Sequence, residues 1–478
     1  MLPIRLPAFS AASQKATGRR RATVVAACIA LAALACSQNP PSPPLSDLPD
    51  GTTAPAARSG GCDVPRRAPR PDPRPHYDMS IDIDPGTRSV TGTSDVTFVA
   101  GRATRRVVFR LWPNGPRLAA EGARLDVQEA TLAEGGATVT RPDPTTLVYE
   151  LGRRLPPGER VTARLRWRLE VPDGLLDRIS QSGTSVRLGS FFPILSWEGE
   201  RGWATDPPTT SLAESSTSPT ADFDVAIGAP PELDVIATGA ETSPGRWEAR
   251  AVRDFAVAAG EFDIVREVVE APRPVDVTVG IAAGLEPAPR KFSDAIATAL
   301  RDLSRRYGGY PWQTFSMAIM PDLGSAGIEY PTMVFQGDES LRNATTHEVA
   351  HSWFYSLVGN NQARDPWLDE GVTSWAQGRS DEIMGFFQDY AVPRDAQGRL
   401  GAAMPYWDAH ERSYYGGVYV QGVQALDALG NPRLVDCALR RYVAANAYGV
   451  ATTEDLVDAL EPELPRAARV LRRFGART

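Results

Sequence analysis

The sequence is poor in histidine, cysteine and lysine. Its 478 residues include four His, four Cys and, among 51 basic residues, two Lys. So few cysteines exclude a disulfide-knot protein, and a net charge of −7 provides no basic field that would attract nucleic acid. The apolar fraction of 42% excludes wholesale disorder, and the length predicts two or three domains. Because His is rare, two His close together in the sequence carry information about function.

The start of the chain has the features of a bacterial export signal. Arg19–Arg21 precede an apolar run from Ala22 to Ala35, which is too short to span a bilayer. Ala33-Leu34-Ala35-Cys36 resembles a lipobox, after which Cys36 would carry the lipid of a lipoprotein. The alternative is ordinary signal peptidase, which also accepts small residues here. We predict a signal peptide over residues 1–35 and an exported protein, either lipid-anchored on the outer face of the cell membrane or secreted.

A low-complexity segment follows the signal. Residues 36–75 are rich in Pro, Ser, Gly and Arg and cannot bury enough apolar surface to form a core, so we predict a disordered tether. Removal of Cys28 and lipidation of Cys36 would leave Cys62 and Cys437 as free thiols. An oxidising compartment permits a disulfide between them, and the alternative is two unrelated cysteines.

Residues 76–284 have the pattern of β-strands. Apolar and polar residues alternate from Tyr77 to Ile83, and Pro85-Gly86 then leads into a second alternating run. Similar runs return at Val161–Leu169 and Val275–Val279. Many half-buried strands separated by Gly, Pro and Asp turns predict an antiparallel β-sandwich or saddle domain.

The periodicity becomes helical after Pro287. Apolar residues recur at helical spacing from Ile296 to Tyr307, and a short strand region is predicted around Phe315–Met320. Further helices are predicted at Ala344–Val358, Glu370–Arg379 and Val418–Leu429, after Asn431, and after Thr452 with Asp455 as a capping box. Residues 285–478 are therefore predicted to form a mostly helical domain, and the fold class is α+β.

Two of the four His stand four residues apart in His347-Glu348-Val349-Ala350-His351. On a helix, such residues lie on one face, so both imidazoles can bind one zinc ion with Glu348 beside it. Glu370 follows His351 after 18 intervening residues and offers a carboxylate as third ligand. These ligands leave the fourth zinc position open to water, as in catalytic sites. The pattern predicts one zinc ion per chain, a water deprotonated by Glu348, and hydrolysis of an amide.

These motifs carry a resemblance to a known family. The segment His347–Phe354, followed at this spacing by Trp367–Gly371, resembles the aminopeptidase N family of gluzincin zinc peptidases. Thermolysin itself matches less well, because its family places the third ligand differently. The resemblance implies a β-saddle domain followed by a thermolysin-like catalytic domain, with His347, His351 and Glu370 as zinc ligands. Because 108 residues follow Glu370, we expect a short member without the family's C-terminal helical domain.

Two further motifs imply roles for individual residues. Ala326–Pro331 is similar to the family's exopeptidase motif, whose Glu binds the α-amino group of the substrate. That role falls to Glu329, with Gly327 on the same substrate-binding strand, and a carboxylate suits a buried ammonium group. Val418–Gly422 is similar to the family's Tyr-x-x-Gly helix start, whose Tyr donates a hydrogen bond to the oxyanion. That role falls to Tyr419.

The sequence therefore predicts an exported zinc aminopeptidase that acts on peptides with a free N-terminus. One alternative is a zinc endopeptidase of the same fold, against which Glu329 argues. Another is a non-catalytic surface-binding lipoprotein, against which Glu348 argues, because a binding protein has no use for a base beside the metal.

Two other Tyr and two other His residues could compete for the roles in the predicted site. Tyr414 and Tyr415 are the alternatives to Tyr419 as the oxyanion donor. His76 and His410 have no ligand partners at useful spacing, so we expect neither of them to bind the metal.

Overall fold

The structure is a computed structural model that describes residues 62–213, 216–286, 288–341 and 344–478. The predicted signal peptide, the predicted lipid site Cys36 and the part of the tether before residue 62 lie outside the described residues. Among the residues that the structure describes, none of the helices combines the length and the apolar character needed to cross a membrane.

Strands make up most of the first part of the described chain. They are β1 (His76–Asp84), β2 (Ser89–Val99), β3 (Thr104–Arg110), β4 (Arg124–Leu132), β5 (Ala137–Asp143), β6 (Thr146–Leu155), β7 (Arg160–Glu170), β8 (Ile179–Ser182), β9 (Ser185–Leu188), β10 (Ile194–Leu195), β11 (Ala221–Gly228), β12 (Asp234–Ala237), β13 (Ala240–Ser243), β14 (Arg246–Val252), β15 (Val257–Gly260), β16 (Phe262–Glu270), β17 (Pro274–Ala282), β18 (Thr314–Ile319), β19 (Gly327–Tyr330), β20 (Met333–Gln336), β21 (Gly359–Asn360) and β22 (Val450–Ala451).

Helices dominate the second part. They are α1 (Pro116–Ala120), α2 (Pro289–Tyr307), α3 (Thr345–Ala350), α4 (Pro366–Ser380), α5 (Met384–Asp389), α6 (Met404–Ala409), α7 (Gln421–Asp427), α8 (Pro432–Asn446), α9 (Thr453–Leu460) and α10 (Ala467–Arg473). The early α1 has five residues, and the other helices follow residue 288. The predicted fold class, α+β with a β-rich first part and a mostly helical second part, is confirmed.

Three sheets form the β-rich part. The largest has seven strands in the order β13-β14-β11-β1-β2-β7-β4. Its strands pair antiparallel, except that β1 and β11 run parallel. Two four-stranded sheets have the orders β10-β3-β6-β5 and β12-β15-β9-β8.

The alternation of β1 decides which of its faces meets the core. Tyr77, Met79, Ile81 and Ile83 are buried, whereas the Asp and Ser residues between them are exposed. Tyr77 stacks on Phe223 of the parallel strand β11, with ring centroids 4.5 Å apart. A shift of the register by one residue would bury the acidic side chains, so the predicted pattern fixes the pairing.

A five-stranded sheet, in the order β16-β17-β18-β20-β19, leads into the helical part. Its strand β17 pairs in parallel with β18, so this sheet begins at Phe262 and continues across the predicted domain boundary after residue 284. Alternation in the sequence identifies β17 as a strand, but it does not say which sheet β17 joins. The helix α2 packs on these two strands.

Helix ends that depend on local signals agree with the prediction. The side chain of Thr452 accepts a hydrogen bond from the Asp455 amide, and the Asp455 carboxylate accepts one from the Thr452 amide. The predicted capping box of α9 is therefore confirmed. Similarly, α8 begins after Asn431, whose side chain accepts a hydrogen bond from the Arg433 amide.

Three predicted helices have different bounds. The helix predicted over Ala344–Val358 ends at Ala350 and continues as an irregular turn, because aromatic packing overrides the helical pattern. In that turn Trp353 donates a hydrogen bond to the Gly308 carbonyl, at 2.7 Å, and Phe354 lies edge-on to Tyr307.

The other two differences concern helix starts. The helix α4 begins at Pro366, four residues before the predicted start, since Pro is well suited to the first helical position. Glu370 therefore lies in its second turn and not its first. The helix predicted over Val418–Leu429 is α7 with a wider turn, Tyr415–Val420, before it.

The prediction of a disordered tether is wrong for residues 62–75. They form neither helix nor strand, but they are attached to the helical part. Cys62 forms a disulfide with Cys437 of α8, and the Ala68 amide donates a hydrogen bond of 2.7 Å to the Ala444 carbonyl. Composition misleads here because a covalent bond and backbone hydrogen bonds, rather than apolar burial, fix the segment.

Candidate active site

The three predicted metal ligands meet where α3 packs against α4. His347 lies on α3, His351 directly follows that helix, and Glu370 lies on α4. The Nε2 atoms of His347 and His351 lie 3.1 and 3.5 Å from Oε2 of Glu370. One donor atom from each of the three residues lies within 4.8 Å of the other two. The structure therefore brings together the ligand set that the sequence predicts.

One helical turn holds the two imidazoles side by side. The His351 amide donates a hydrogen bond of 3.2 Å to the His347 carbonyl, and the two ring centroids lie 4.7 Å apart. The third ligand is fixed by burial, since α4 is buried from Pro366 to Gly378. All three ligand side chains are thus held on rigid elements, which a metal site requires.

The charges around the two imidazoles favour a cation. Four carboxylates, those of Glu329, Glu348, Asp369 and Glu370, lie here with 6%, 5%, 1% and 4% of their residue surface exposed. Buried charges are stable when they are paired or when they coordinate a metal. Two nitrogens and one carboxylate oxygen are also the donor set of catalytic zinc sites with one open position. The residues present therefore fit a zinc ion.

The same neighbours shift the proton affinities of the ligands. Burial lowers the pKa of His351, but the carboxylates of Glu329 and Asp369 outweigh burial and hold this pKa well above its usual value. Burial raises the pKa of Glu370, but hydrogen bonds from His347 and His351 outweigh it and hold this pKa far below its usual range. The surroundings of the ligands thus favour a positive charge at His351 and a negative charge at Glu370.

The strand β19 brings the predicted amine-binding residue beside the predicted base. Glu329, Glu348 and His351 each offer one atom within 4.8 Å of the others. Gly327, at the start of β19, faces the Glu348 side chain so closely that a Cβ at this position would lie 2.3 Å from the carboxylate. A methyl group at position 327 would therefore collide with the Glu348 side chain.

The close packing of two helices brings Tyr419 to the site. A Cβ on Gly422 would lie 2.6 Å from the Gly371 Cα, so α4 and the helix that carries Gly422 touch through these glycines. Gly371 follows the ligand Glu370, and Tyr419 lies one turn before Gly422. The Tyr419 ring consequently stacks on His347, with centroids 5.8 Å apart and an interplanar angle of 14°.

The alternative tyrosines surround Tyr419 and do not replace it at the His347 ring. Tyr414 lies edge-on to the Tyr419 ring, and Tyr415 lies tilted against it, with centroid distances of 5.8 and 5.1 Å. The remaining two His have local partners. His76 lies 3.2 Å from the Asp224 carboxylate, and His410 stacks on Tyr406.

The structure also identifies residues near the ligands to which the sequence assigned no role. Nδ1 of His351 lies 2.8 Å from Oδ1 of Asp369, and the Gln362 side chain donates a hydrogen bond of 2.6 Å to Oδ2 of Asp369. Ser216 in turn donates a hydrogen bond of 2.6 Å to Oε1 of Gln362. Asp369 could have been noticed as the neighbour of a ligand, but no sequence signal connects the distant Ser216 to it.

Comparison with curated proteins finds similarity in a limited stretch. Aminopeptidase B of Mus musculus is 34% identical over 122 residues, which cover 24% of this chain and 19% of that protein. Leukotriene A-4 hydrolase of Xenopus laevis is 32% identical over 104 residues, which cover 20% of this chain and 17% of that protein. The chain thus spans about a fifth of the length of the curated relatives it matches. No protein-family profile matches it.

Comparison with solved structures covers most of the chain. An M1 zinc metallopeptidase mutant from Deinococcus radiodurans, bound to a Tyr-Ser-Ala substrate, superposes with a TM-score of 0.64 at 21% identity. The match covers 85% of this chain and 95% of that one. An M1 zinc metallopeptidase from Deinococcus radiodurans gives a TM-score of 0.62 at 20% identity. These comparisons confirm the resemblance that the motifs carry.

Proposed function

Since this chain has the fold of the M1 zinc metallopeptidases, we propose that it is a zinc-dependent aminopeptidase. It would hydrolyse the first peptide bond of peptides with a free N-terminus. The observation that carries the proposal is the position of Glu329. This buried carboxylate lies within 4.8 Å of both the predicted base Glu348 and the ligand His351. The curated relative from mouse bears the name aminopeptidase B, which supports the same activity.

The proposed reaction assigns one role to each group. His347, His351 and Glu370 would hold one zinc ion per chain, which when bound would polarise a carbonyl oxygen and lower the pKa of water. Glu348 accepts the proton of the attacking water and passes it to the leaving amine. Tyr419 donates a hydrogen bond to the oxygen on which negative charge develops.

Glu329 makes the reaction specific for the end of the chain. An ammonium group that enters a buried site needs a charged acceptor, and the Glu329 carboxylate supplies one. Because Glu329 lies within 4.8 Å of Glu348, an amine bound there would bring the first peptide bond within reach of the base, whereas an internal peptide bond brings no ammonium group to this position. Gly327 on the same strand leaves the space that this arrangement needs, because it has no side chain.

The test compares free and blocked N-termini on the same peptide. Purified protein loaded with zinc should release the first residue of a tripeptide and leave the N-acetylated tripeptide intact. The substitution Glu329→Gln keeps the side-chain size but removes the charge, so it should raise KM for the free peptide. Glu339→Gln, an exposed acidic residue on the following segment, is the matched control. Internal cleavage of acetylated peptides would instead show an endopeptidase. If the zinc-loaded protein cleaves neither the free nor the acetylated peptide, the result would support a non-catalytic binding protein.

We also propose that the protein acts outside the cytoplasm, anchored through a lipid on Cys36. The lipobox-like sequence at Cys36 supports the anchor, and the disulfide between Cys62 and Cys437 supports an oxidising compartment. In a bacterial host, the protein should fractionate with membranes, and Cys36→Ser should move it to the soluble extracytoplasmic fraction. If the Cys36→Ser protein stays membrane-bound, the lipid anchor is wrong.

A further inference from the structure

An ion-pair contact followed by hydrogen bonds leads from the ligand His351 to the β-rich part of the molecule. Nδ1 of His351 lies 2.8 Å from Asp369, whose other carboxylate oxygen accepts a hydrogen bond from Gln362. The side-chain oxygen Oε1 of Gln362 accepts one from the Ser216 hydroxyl, and the backbone amide of Gln362 donates one of 3.1 Å to the backbone carbonyl of Ser216. Two hydrogen bonds therefore fix Gln362 to the segment that precedes β11.

The two oxygens of Asp369 face different partners, which gives the carboxylate one orientation. Asp369 and Gln362 are almost completely buried, with 1% and 2% of their surface exposed. Water therefore does not compete for these contacts. The Thr373 hydroxyl is hydrogen-bonded to Nδ1 of His351 at 3.3 Å, and Oδ1 of Asp369 lies closer to the same nitrogen, at an ion-pair distance of 2.8 Å. The Asp369 carboxylate is thus the closer of the two groups and the one that carries a charge.

We propose that Asp369 is a positioning residue for His351, and that Gln362 and Ser216 hold it in place. An imidazole whose Nδ1–H donates to a carboxylate presents Nε2, with its lone pair, to the metal. In this structure Nε2 of His351 is the atom that faces the Glu370 carboxylate. This inference rests on the proposed zinc site, but it concerns residues that touch neither the metal nor the substrate.

The contacts of Asp369 predict how each substitution should change the zinc affinity. Asp369→Asn keeps an oxygen that can accept from Nδ1–H but loses the negative charge. Asp369→Ala removes the acceptor altogether. Gln362→Leu leaves Asp369 in place without the donor that fixes its second oxygen. Loss of zinc affinity should therefore be largest for Asp369→Ala and smaller for the other two.

The experiment measures the zinc dissociation constant of each full-length variant by competition with a chelator, and the thermal midpoint of each apo-protein. Removal of a partner behind a metal-bound His costs about 10- to 100-fold in metal affinity, and we expect this loss for Asp369→Ala. We expect the loss of zinc affinity to be smaller for Asp369→Asn than for Asp369→Ala. The matched control is Asp408→Asn, because Asp408 accepts hydrogen bonds from the nearby Thr210 and Ser211 without contact to His351.

Two results would overturn the proposal. One is a zinc dissociation constant for Asp369→Ala equal to that of the parent protein. The other is a weakening in Asp408→Asn as large as in Asp369→Ala, which would indicate general loosening of the fold. If Asp369→Ala does not fold, the comparison of Asp369→Asn with the parent decides the question. Zinc binding is measured without substrate, so the role of Asp369 is tested independently of peptidase activity. A parent protein that binds zinc but cleaves no peptide would refute the proposed function, and the comparison of zinc affinities would still decide the role of Asp369.

Discussion

The substitution Gly327→Ala tests whether the strand β19 positions the catalytic base. The new Cβ would lie 2.3 Å from Cδ and Oε1 of Glu348 and 2.5 Å from its Cγ. Carbon atoms in contact are separated by roughly 3.5–4.0 Å, so one partner must move by more than about 1 Å. Glu348 yields more easily than the strand, since its carboxylate is the end of a flexible side chain.

A displaced base should reduce turnover more than it reduces stability. A misplacement of about 1 Å in a catalytic group can cost about 100-fold in rate, and we expect kcat to fall by this order. Zinc content should stay at one ion per chain, because the nearest atoms that the new methyl group meets all belong to Glu348. The assay is steady-state hydrolysis of an aminoacyl anilide, together with zinc analysis of the same sample.

The control for this substitution is Gly385→Ala. Gly385 lies in the helix α5, and a Cβ there would meet nothing within 4 Å. It should leave kcat unchanged. If Gly327→Ala turned over within threefold of the parent protein, Glu348 would not act from the position described, and the assignment of the base would be wrong.

Three further predictions concern the oxyanion, pH and the disulfide. Tyr419→Phe should lower kcat by about 100- to 1,000-fold with little change in KM or zinc content; a kcat near the parent value would exclude this hydroxyl as the donor. Burial raises the pKa of Asp254 to about 7, although Ser190 donates a hydrogen bond to it. The folded state then binds a proton that the unfolded chain releases, so this group lowers stability as pH rises from about 4 to 7, by at most about 1.4 kcal/mol per unit. Asp254→Asn should remove that slope in urea unfolding at pH 5 and 7, and parallel curves for both proteins would contradict the prediction. Cys62→Ser should lower the free energy of unfolding by about 2–4 kcal/mol, and a reductant should then have no further effect on this free energy. An unchanged free energy of unfolding would contradict the bond between Cys62 and Cys437.

The metal ligands could be predicted because their geometry is local. His347 and His351 need one helical turn, and Glu370 needs a second helix that packs on the first. Tyr419 also followed from a short motif, and the structure explains its spacing, since Gly422 lets two helices touch beside the ligand.

Features that depend on distant partners could not be predicted. The segment 62–75 is held by Cys437 and by backbone hydrogen bonds, which leave no mark on its composition. The helix of the motif ends at Ala350 because Trp353 and Phe354 pack against the end of α2, and that contact is tertiary. For the same reason, Ser216 carries no sequence signal that relates it to the site.

We propose that one zinc ion and the Glu348 carboxylate together hydrolyse the substrate. The most direct test measures zinc content and turnover of Glu348→Gln and the parent protein side by side. The amide keeps the side-chain size but cannot accept the proton, so zinc should remain at one ion per chain while turnover falls by about 100- to 10,000-fold. A Glu348→Gln protein that retains both zinc and the parental turnover would show that Glu348 is not the base.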